Sequence, residues 1–195
     1  AKSVNYSGTM AQIAAQTLPA IPRSPVVMDV PAWRRAGLRY YSYRYFLSQK
    51  FTASRGQKVS LDAGFTCPNV DGKVATLGCT FCDNRSFSPS RRGPLLPIAA
   101  RRANVVGQLE DGIRRLKHRY DVDQFIAYFQ PATNTYAPVE TLRPLYEAVV
   151  AHPQVVGLAI GTWPDCVPED VLSLLAELAA RTFVTVEYGL QTMHD

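Results

Sequence analysis

Cysteine is scarce in this sequence, with four residues in a chain of 195. That is too few for a disulfide scaffold, in which cross-links compensate for a small core. Long apolar runs are missing as well, since the stretch 155–160 is among the longest and is far too short to cross a bilayer. No charged segment followed by a long apolar stretch is present. We therefore expect no secretory signal, no membrane partner and a cytoplasmic location.

Apolar residues make up 47% of the chain, which predicts a globular fold. Residues 1–30 carry scattered prolines and no sustained periodicity, so they predict an extended or disordered leader before a domain at 31–195. Basic and aromatic residues mix at 33–51, where we expect a short helix. This segment has two interpretations, a platform for nucleic acid or an amphipathic helix packed on the domain, and we favour the second.

A strand–helix rhythm begins after this segment. Strands are predicted at 58–65, 124–130, 155–162 and 183–190, and helices at 95–120, 138–150 and 168–181. Strands that alternate with helices pair in parallel. A complete (β/α) barrel takes about 250 residues. The sequence therefore predicts an α/β fold, a partial TIM-type barrel that stops after its fourth strand.

Three of the cysteines cluster directly after the first predicted strand. Cys79 and Cys82 form a C-x2-C pair, and Cys67 lies eleven intervening residues before Cys79 on a loop that contains Gly72 and Gly78. Three thiolates on a 4Fe–4S cluster leave one iron open to another ligand. The alternative is structural zinc with Cys166 as the fourth ligand, although zinc sites usually come as two close pairs.

Several segments in the same order resemble the YhcC-like branch of the radical S-adenosylmethionine (SAM) superfamily, which is related to the catalytic subunit of Elongator. They are 57–69, 79–82, 133–138, 164–166 and 187–192. The resemblance extends from about Tyr40 to Asp195. The sequence departs from the family pattern at Val70 and Trp163, where arginines are common, and at Ala132, where an aromatic is common. These departures leave the cysteine motif whole and affect the substrate contacts.

The resemblance implies an enzyme with a radical SAM core. Cys67, Cys79 and Cys82 would hold the 4Fe–4S cluster, SAM would bind the open iron, and Phe81 would lie beside the adenine. An external electron donor would reduce the cluster, and SAM cleavage would give methionine and a 5′-deoxyadenosyl radical that removes hydrogen from a substrate. Kinship with Elongator suggests tRNA as that substrate.

Alternation along the fourth strand predicts that Glu187 and Gln191 face the barrel interior. They would contact SAM, or Glu187 would join a structural network with Lys58 or a neighbouring hydroxyl. Gln130, after the second strand, is the candidate for the methionyl amino group, and turn chemistry is its alternative. Cys166 is expected to be a buried small hydrophobe.

The net charge is +5, and much of it is carried by basic residues of the first crossover. They are Arg91, Arg92, Arg101, Arg102, Arg114, Arg115, Lys117 and Arg119. Such a surface attracts RNA, or is simply the solvated face of a helix. Two functions compete with the enzyme: a non-catalytic zinc or iron–sulfur module that binds RNA, and an inactive fragment with an open sheet edge.

Overall fold

The computed structural model describes residues 30–51, 56–83, 88 and 96–190. The chain divides into two units between Tyr40 and Tyr41. The described part of the first unit contains one short helix, α1 (Ala32–Arg35). Apart from Val30, the predicted leader lies outside the described residues.

The second unit alternates strands and helices along its described length. Its elements are α2 (Tyr43–Lys50), β1 (Gln57–Leu61), α3 (Ile98–Tyr120), β2 (Phe125–Phe129), α4 (Val139–Val150), β3 (Val155–Thr162), a 3₁₀ turn (Pro164–Cys166), α5 (Glu169–Ala179) and β4 (Phe183–Tyr188). The strands pair in parallel in the order β1-β2-β3-β4. The predicted α/β fold with parallel strands is confirmed. Among the described residues the sheet is open, with β1 and β4 as its edges, so no closed barrel is present there.

The ends of the elements have local causes. β1 ends at Leu61, earlier than predicted, because Gln108 of α3 takes over as hydrogen-bond partner of the next residue, Asp62. Pro97, Pro138 and Pro168 precede α3, α4 and α5, where a residue without an N–H leaves no helical donor unpaired.

One face of the sheet is covered by α3, α4 and α5. Strand residues such as Leu61, Phe129 and Ile160 pack there against Leu109 of α3 and Leu142 of α4, all of them buried. The strands are apolar on this face because three helices remove it from water. No described helix is both long and apolar enough to cross a membrane.

The opposite face of the sheet is covered at its amino end by α2. Leu47 and its neighbours Phe46 and Phe51 pack against Ile126, Ala159 and Phe183. Where one helix was expected at 33–51, the structure has two, because the backbone leaves helical conformation at Gly37, with φ of 76°. The packing interpretation of this segment is therefore confirmed for α2.

Candidate functional site

A cavity of about 330 Å³ opens where the parallel strands end. Walls come from the loop after β1, the ends of β2 and β3, and β4. Six of the residues selected from the sequence line it: Cys67, Cys79, Phe81, Cys82, Gln130 and Glu187. The seventh, Gln191, lies outside the described residues. Side chains drawn from positions far apart in the chain are thus brought together at one edge of the sheet, as the parallel topology requires.

The cysteine loop is a series of tight turns. Asp71 and Val70 both donate their backbone N–H to the carbonyl of Cys67, and Cys82 donates to the carbonyl of Cys79 at 2.9 Å. Gly72 and Gly78 have φ of 94° and 73°, values that side chains disfavour. The loop can therefore fold back on itself, and this brings Cys67 to the same cavity as the C-x2-C pair.

The three thiols share a cavity and differ in exposure. Cys67 and Cys79 are half-buried and Cys82 is exposed. Asn69 donates its side-chain Nδ2–H to the Cys79 sulfur at 3.3 Å. Within the described ranges, no three Cys, His, Asp or Glu side chains are arranged to hold a metal ion. Cysteine sulfurs are the ligands that iron–sulfur clusters take, so the residue types of this set suit such a cluster, whereas their arrangement in the described structure does not gather them around one ion.

Cys166 lines a different cavity from these three thiols in the described structure. It is buried and lines a second cavity, of about 750 Å³, together with Lys73 and Tyr136. Burial, reinforced by the neighbouring Cys67, raises the pKa of the Cys166 thiol. Trp163 lines both cavities, and so forms part of the wall between them. The thiol matches the small buried hydrophobe expected from the sequence.

Glu187 lies at the cavity with both carboxylate oxygens engaged. Lys58 of β1 forms an ion pair with Oε1, and the hydroxyl of Tyr128 on β2 donates to Oε2 at 2.6 Å. Burial alone would raise the pKa of Glu187, but the bonds from Lys58 and Tyr128 outweigh it and hold the pKa below its usual range. The predicted network with Lys58 and a hydroxyl is therefore present, in the same place as the predicted cavity contact.

Tyr128 is a cavity residue that the sequence analysis missed. Burial and its bond to Glu187 raise its pKa, so the phenol stays a hydrogen-bond donor. The Lys58 ammonium lies 4.2 Å from the centroid of the Tyr128 ring and 5.2 Å from that of Tyr43 on α2. Alternation along β2 could have identified it, because Tyr128 shares a face with Ile126 and lies two residues before Gln130, which was predicted at the site.

The loop after β2 divides its residues between the cavity and the fold. Gln130 lines the cavity and accepts a hydrogen bond from the Ser60 hydroxyl at 3.1 Å. Asn134 is fully buried, and its Nδ2 donates to the carbonyls of Phe129, Pro131 and Gly161. Asn134 thus joins the ends of β2 and β3 through its side-chain amide.

Backbone crowding explains the small residues of β3. A Cβ at Gly157 would lie 3.1 Å from the carbonyl oxygen of Phe183, and one at Gly161 would lie 3.4 Å from that of Gln130. Both glycines therefore mark close backbone approach, and Gly161 also lines the cavity. Ala132 lines it too, with φ of 62°, a left-handed conformation that costs free energy in any residue with a side chain.

Comparison with known proteins finds relatives but no family model that matches the chain. The chain is 45% identical over 157 residues to the Bacillus subtilis protein YtqA, which is described as uncharacterized, covering 80% of this chain and 46% of that protein. It is 39% identical over 150 residues to protein YhcC of Escherichia coli, covering 74% of this chain and 44% of YhcC. It is 29% identical over 162 residues to the uncharacterized protein MJ0486 of Methanocaldococcus jannaschii, covering 82% and 46%. The chain is thus similar to bacterial and archaeal proteins, and it spans slightly less than half of their length.

Proposed function

We propose that this chain carries the cluster-binding and SAM-binding part of a radical SAM enzyme. In this proposal the open sheet is the first four strands of a (β/α) barrel, with its site at the carboxyl ends of the strands. The observation that carries the proposal is the meeting, in one cavity, of all six described residues that the motifs singled out. They come from three separate segments of the chain, and a shared cavity is the arrangement that a common cofactor requires.

Cys67, Cys79 and Cys82 would hold the cluster through their sulfurs and leave one iron for SAM. When bound, the reduced cluster and SAM would supply one-electron cleavage of the SAM carbon–sulfur bond and a radical that removes hydrogen from the substrate. An external donor would supply the electron. Thiolates kept available for iron need reducing surroundings, and this supports a cytoplasmic location.

The remaining cavity residues would position SAM. Glu187 stays ionised because Lys58 and Tyr128 stabilise its charge, so it presents negative oxygens to the positively charged end of SAM. Phe81 is 69% exposed at the cavity, which leaves its ring free of the apolar core and accessible to a purine. Gln130 would offer its side-chain amide beside them.

Anaerobic reconstitution with iron and sulfide tests the proposal. The reduced chain is followed by EPR spectroscopy with and without SAM, and a cluster signal that changes on SAM addition is the expected result. Cys79→Ala should abolish the signal, because it removes a ligand. Cys166→Ala is the matched control and should preserve it, because that thiol lines the other cavity.

Two results would contradict the proposal. The first is a cluster signal that does not change with SAM, both in this chain and in a longer protein that spans the full length of its relatives. This result would exclude the proposed SAM site. Zinc retained through purification in place of iron, with no measurable SAM binding, would favour the non-catalytic metal module.

RNA is the proposed substrate class, with tRNA as the first molecule to test. Six of the basic residues noted above lie on α3, namely Arg101, Arg102, Arg114, Arg115, Lys117 and Arg119. All of them except Arg101 are exposed, and the described acidic partner of Arg114 is Asp111, one turn away at 3.0 Å. A helix with this excess of positive charge attracts a phosphate backbone, and the attraction weakens as salt rises.

Charge reversal tests the RNA proposal. The double variant Arg114→Glu with Arg115→Glu should weaken tRNA binding and flatten its dependence on salt concentration, because fewer counterions are released. Arg181→Glu changes an exposed arginine in the turn after α5; it is the control and should leave the binding nearly unchanged. Tight binding that is unaffected by the double variant and by salt would exclude this surface.

A further inference from the structure

Asp62 is a buried carboxylate beside the cysteine loop that the proposed function does not use. It follows β1 directly, is 6% exposed, and does not line the cavity of the three cysteines. Burial of a carboxylate is costly unless hydrogen bonds replace its water. The hydrogen bonds of Asp62 offset this cost, and the partners in those bonds indicate what the carboxylate holds in place.

The two oxygens of Asp62 bind the two flanks of the cysteine loop. Oδ1 accepts the backbone N–H of Gly64 at 2.8 Å, and Oδ2 accepts the hydroxyl of Ser88 at 2.5 Å. Gly64 lies three residues before Cys67, and Ser88 lies six residues after Cys82. One carboxylate thus closes the segment that carries all three thiols.

The backbone of Asp62 is itself fixed to α3. The side chain of Gln108 accepts the N–H of Asp62 and donates to its carbonyl, both at 2.9 Å. Asn104, one turn earlier on the helix, accepts a second hydrogen bond from the same amide at 2.5 Å. Asp62 is therefore a rigid anchor, and the loop is tied to the sheet–helix core through it.

We propose that Asp62 positions the three cysteines. The benefit of this role, readier binding of iron, rests on the proposed function. Closing a long loop costs conformational entropy. With both flanks held by Asp62, most of this cost is met when the chain folds, so the thiols need little further ordering to bind iron. The carboxylate does not line the cavity of the three cysteines, and in this proposal it acts through its hydrogen bonds to Gly64 and Ser88.

The test compares two ways of opening this clamp. Ser88→Ala removes one hydrogen bond and leaves the carboxylate in place, whereas Asp62→Asn weakens both arms at constant size. Ser48→Ala is the control, because its exposed hydroxyl also donates one hydrogen bond, to the carbonyl of Tyr45 at 2.7 Å. All variants carry Cys166→Ala, so that only the loop thiols report.

Two readouts are taken on the full chain. The first is the rate at which the metal-free loop thiols react with a chromogenic aromatic disulfide, which needs no cluster. The second is the half-life of bound iron under chelator. We expect Ser88→Ala, compared with the Ser48→Ala control, to speed the thiol reaction and to shorten iron retention about tenfold, equivalent to about 1.4 kcal/mol.

The outcomes separate this inference from the proposed function. Faster thiol reaction in a chain that takes up no iron would support the clamp and refute the cluster. Normal iron uptake with unchanged thiol rates and retention in Ser88→Ala would overturn the clamp and leave the cluster standing. If Asp62→Asn fails to fold, Ser88→Ala still decides, because the carboxylate keeps its bond to Gly64.

Discussion

Two glycines in α3 allow a matched test of how this helix is placed against β1. A Cβ built on Gly112 would lie 2.3 Å from Cγ1 of Val59, a buried residue of β1. A Cβ built on Gly107 of the same helix meets no described atom within 4 Å. Alanine is therefore forced into the strand at one site and enters open space at the other.

The two substitutions share one energetic contribution and differ in another. Replacing a mid-helix glycine by alanine stabilises a helix by about 0.8–1 kcal/mol at either site. Overpacking a core adds a cost of about 1–3 kcal/mol, which applies at Gly112 alone. Because the helix contribution cancels, Gly112→Ala should be about 1–3 kcal/mol less stable than Gly107→Ala. For a chain of this size that is a difference in Tm of roughly 2–12 °C.

Thermal and urea unfolding followed by circular dichroism measure this difference. A second-site change sharpens the test, since Val59→Ala removes the methyl groups that Gly112→Ala would strike. The double variant should be more stable than the sum of the two single changes predicts, a coupling that neighbours show and distant sites do not. If Gly112→Ala is as stable as Gly107→Ala, or if the double variant is simply additive, α3 does not lie against β1 as described.

Three further predictions concern Glu187 at the cavity and two hydrogen bonds elsewhere in the fold. Glu187→Gln should destabilise the chain at neutral pH and should lose this effect as pH falls below 4.5. The reason is that the pKa of Glu187 is depressed, so its carboxylate stabilises the folded chain only while it is ionised. Urea unfolding at a series of pH values measures the effect. Ser42→Ala should cost about 1 kcal/mol in urea unfolding, since the Ser42 hydroxyl caps α2 by accepting the N–H of Tyr45 at 3.1 Å. Tyr146→Phe should cost about 1 kcal/mol in the same assay, because it leaves the buried carbonyl of Asn134 without its hydroxyl donor.

Local patterns were enough to predict the strands, the helices and the cysteine loop. Period-two alternation predicts Val184, Val186 and Tyr188 toward the helices and Glu187 toward the cavity. The structure agrees for the two valines and for Glu187, but Tyr188 at the end of β4 lines the cavity instead. Such patterns work because each face of a strand meets one environment along its whole length. The C-x2-C spacing and the glycines of the loop likewise depend on residues that are close together in the sequence, so they can be recognised without knowing the fold.

Contacts between distant residues carry no local signal. A network of Glu187 with Lys58 was one of two alternatives for that carboxylate, because the two residues are 129 positions apart and their pairing depends on the order of the strands. The clamp of Asp62 on Ser88 is hidden for a related reason, since a serine in a loop carries no periodic signal. The face of the sheet that α2 covers could not be predicted either, because the apolar residues of α2 are compatible with packing on either face.

The two faces of the sheet differ in polarity, because one forms the main core with three helices and the other leads to the cavity. The face that packs on α3, α4 and α5, here called the outer face, carries buried apolar residues such as Leu61, Phe129 and Ile160 because these helices cover it. The inner face changes character along its length, from Ile126 under α2 to the hydroxyl of Tyr128 at the cavity. Lys58 lies at this boundary, where its ammonium contacts the ring of Tyr43 on α2 and the carboxylate of Glu187. An ion pair is tolerated there because one side of it is solvated and the other rests on aromatic rings, so the position of α2 sets the depth at which a polar site can begin.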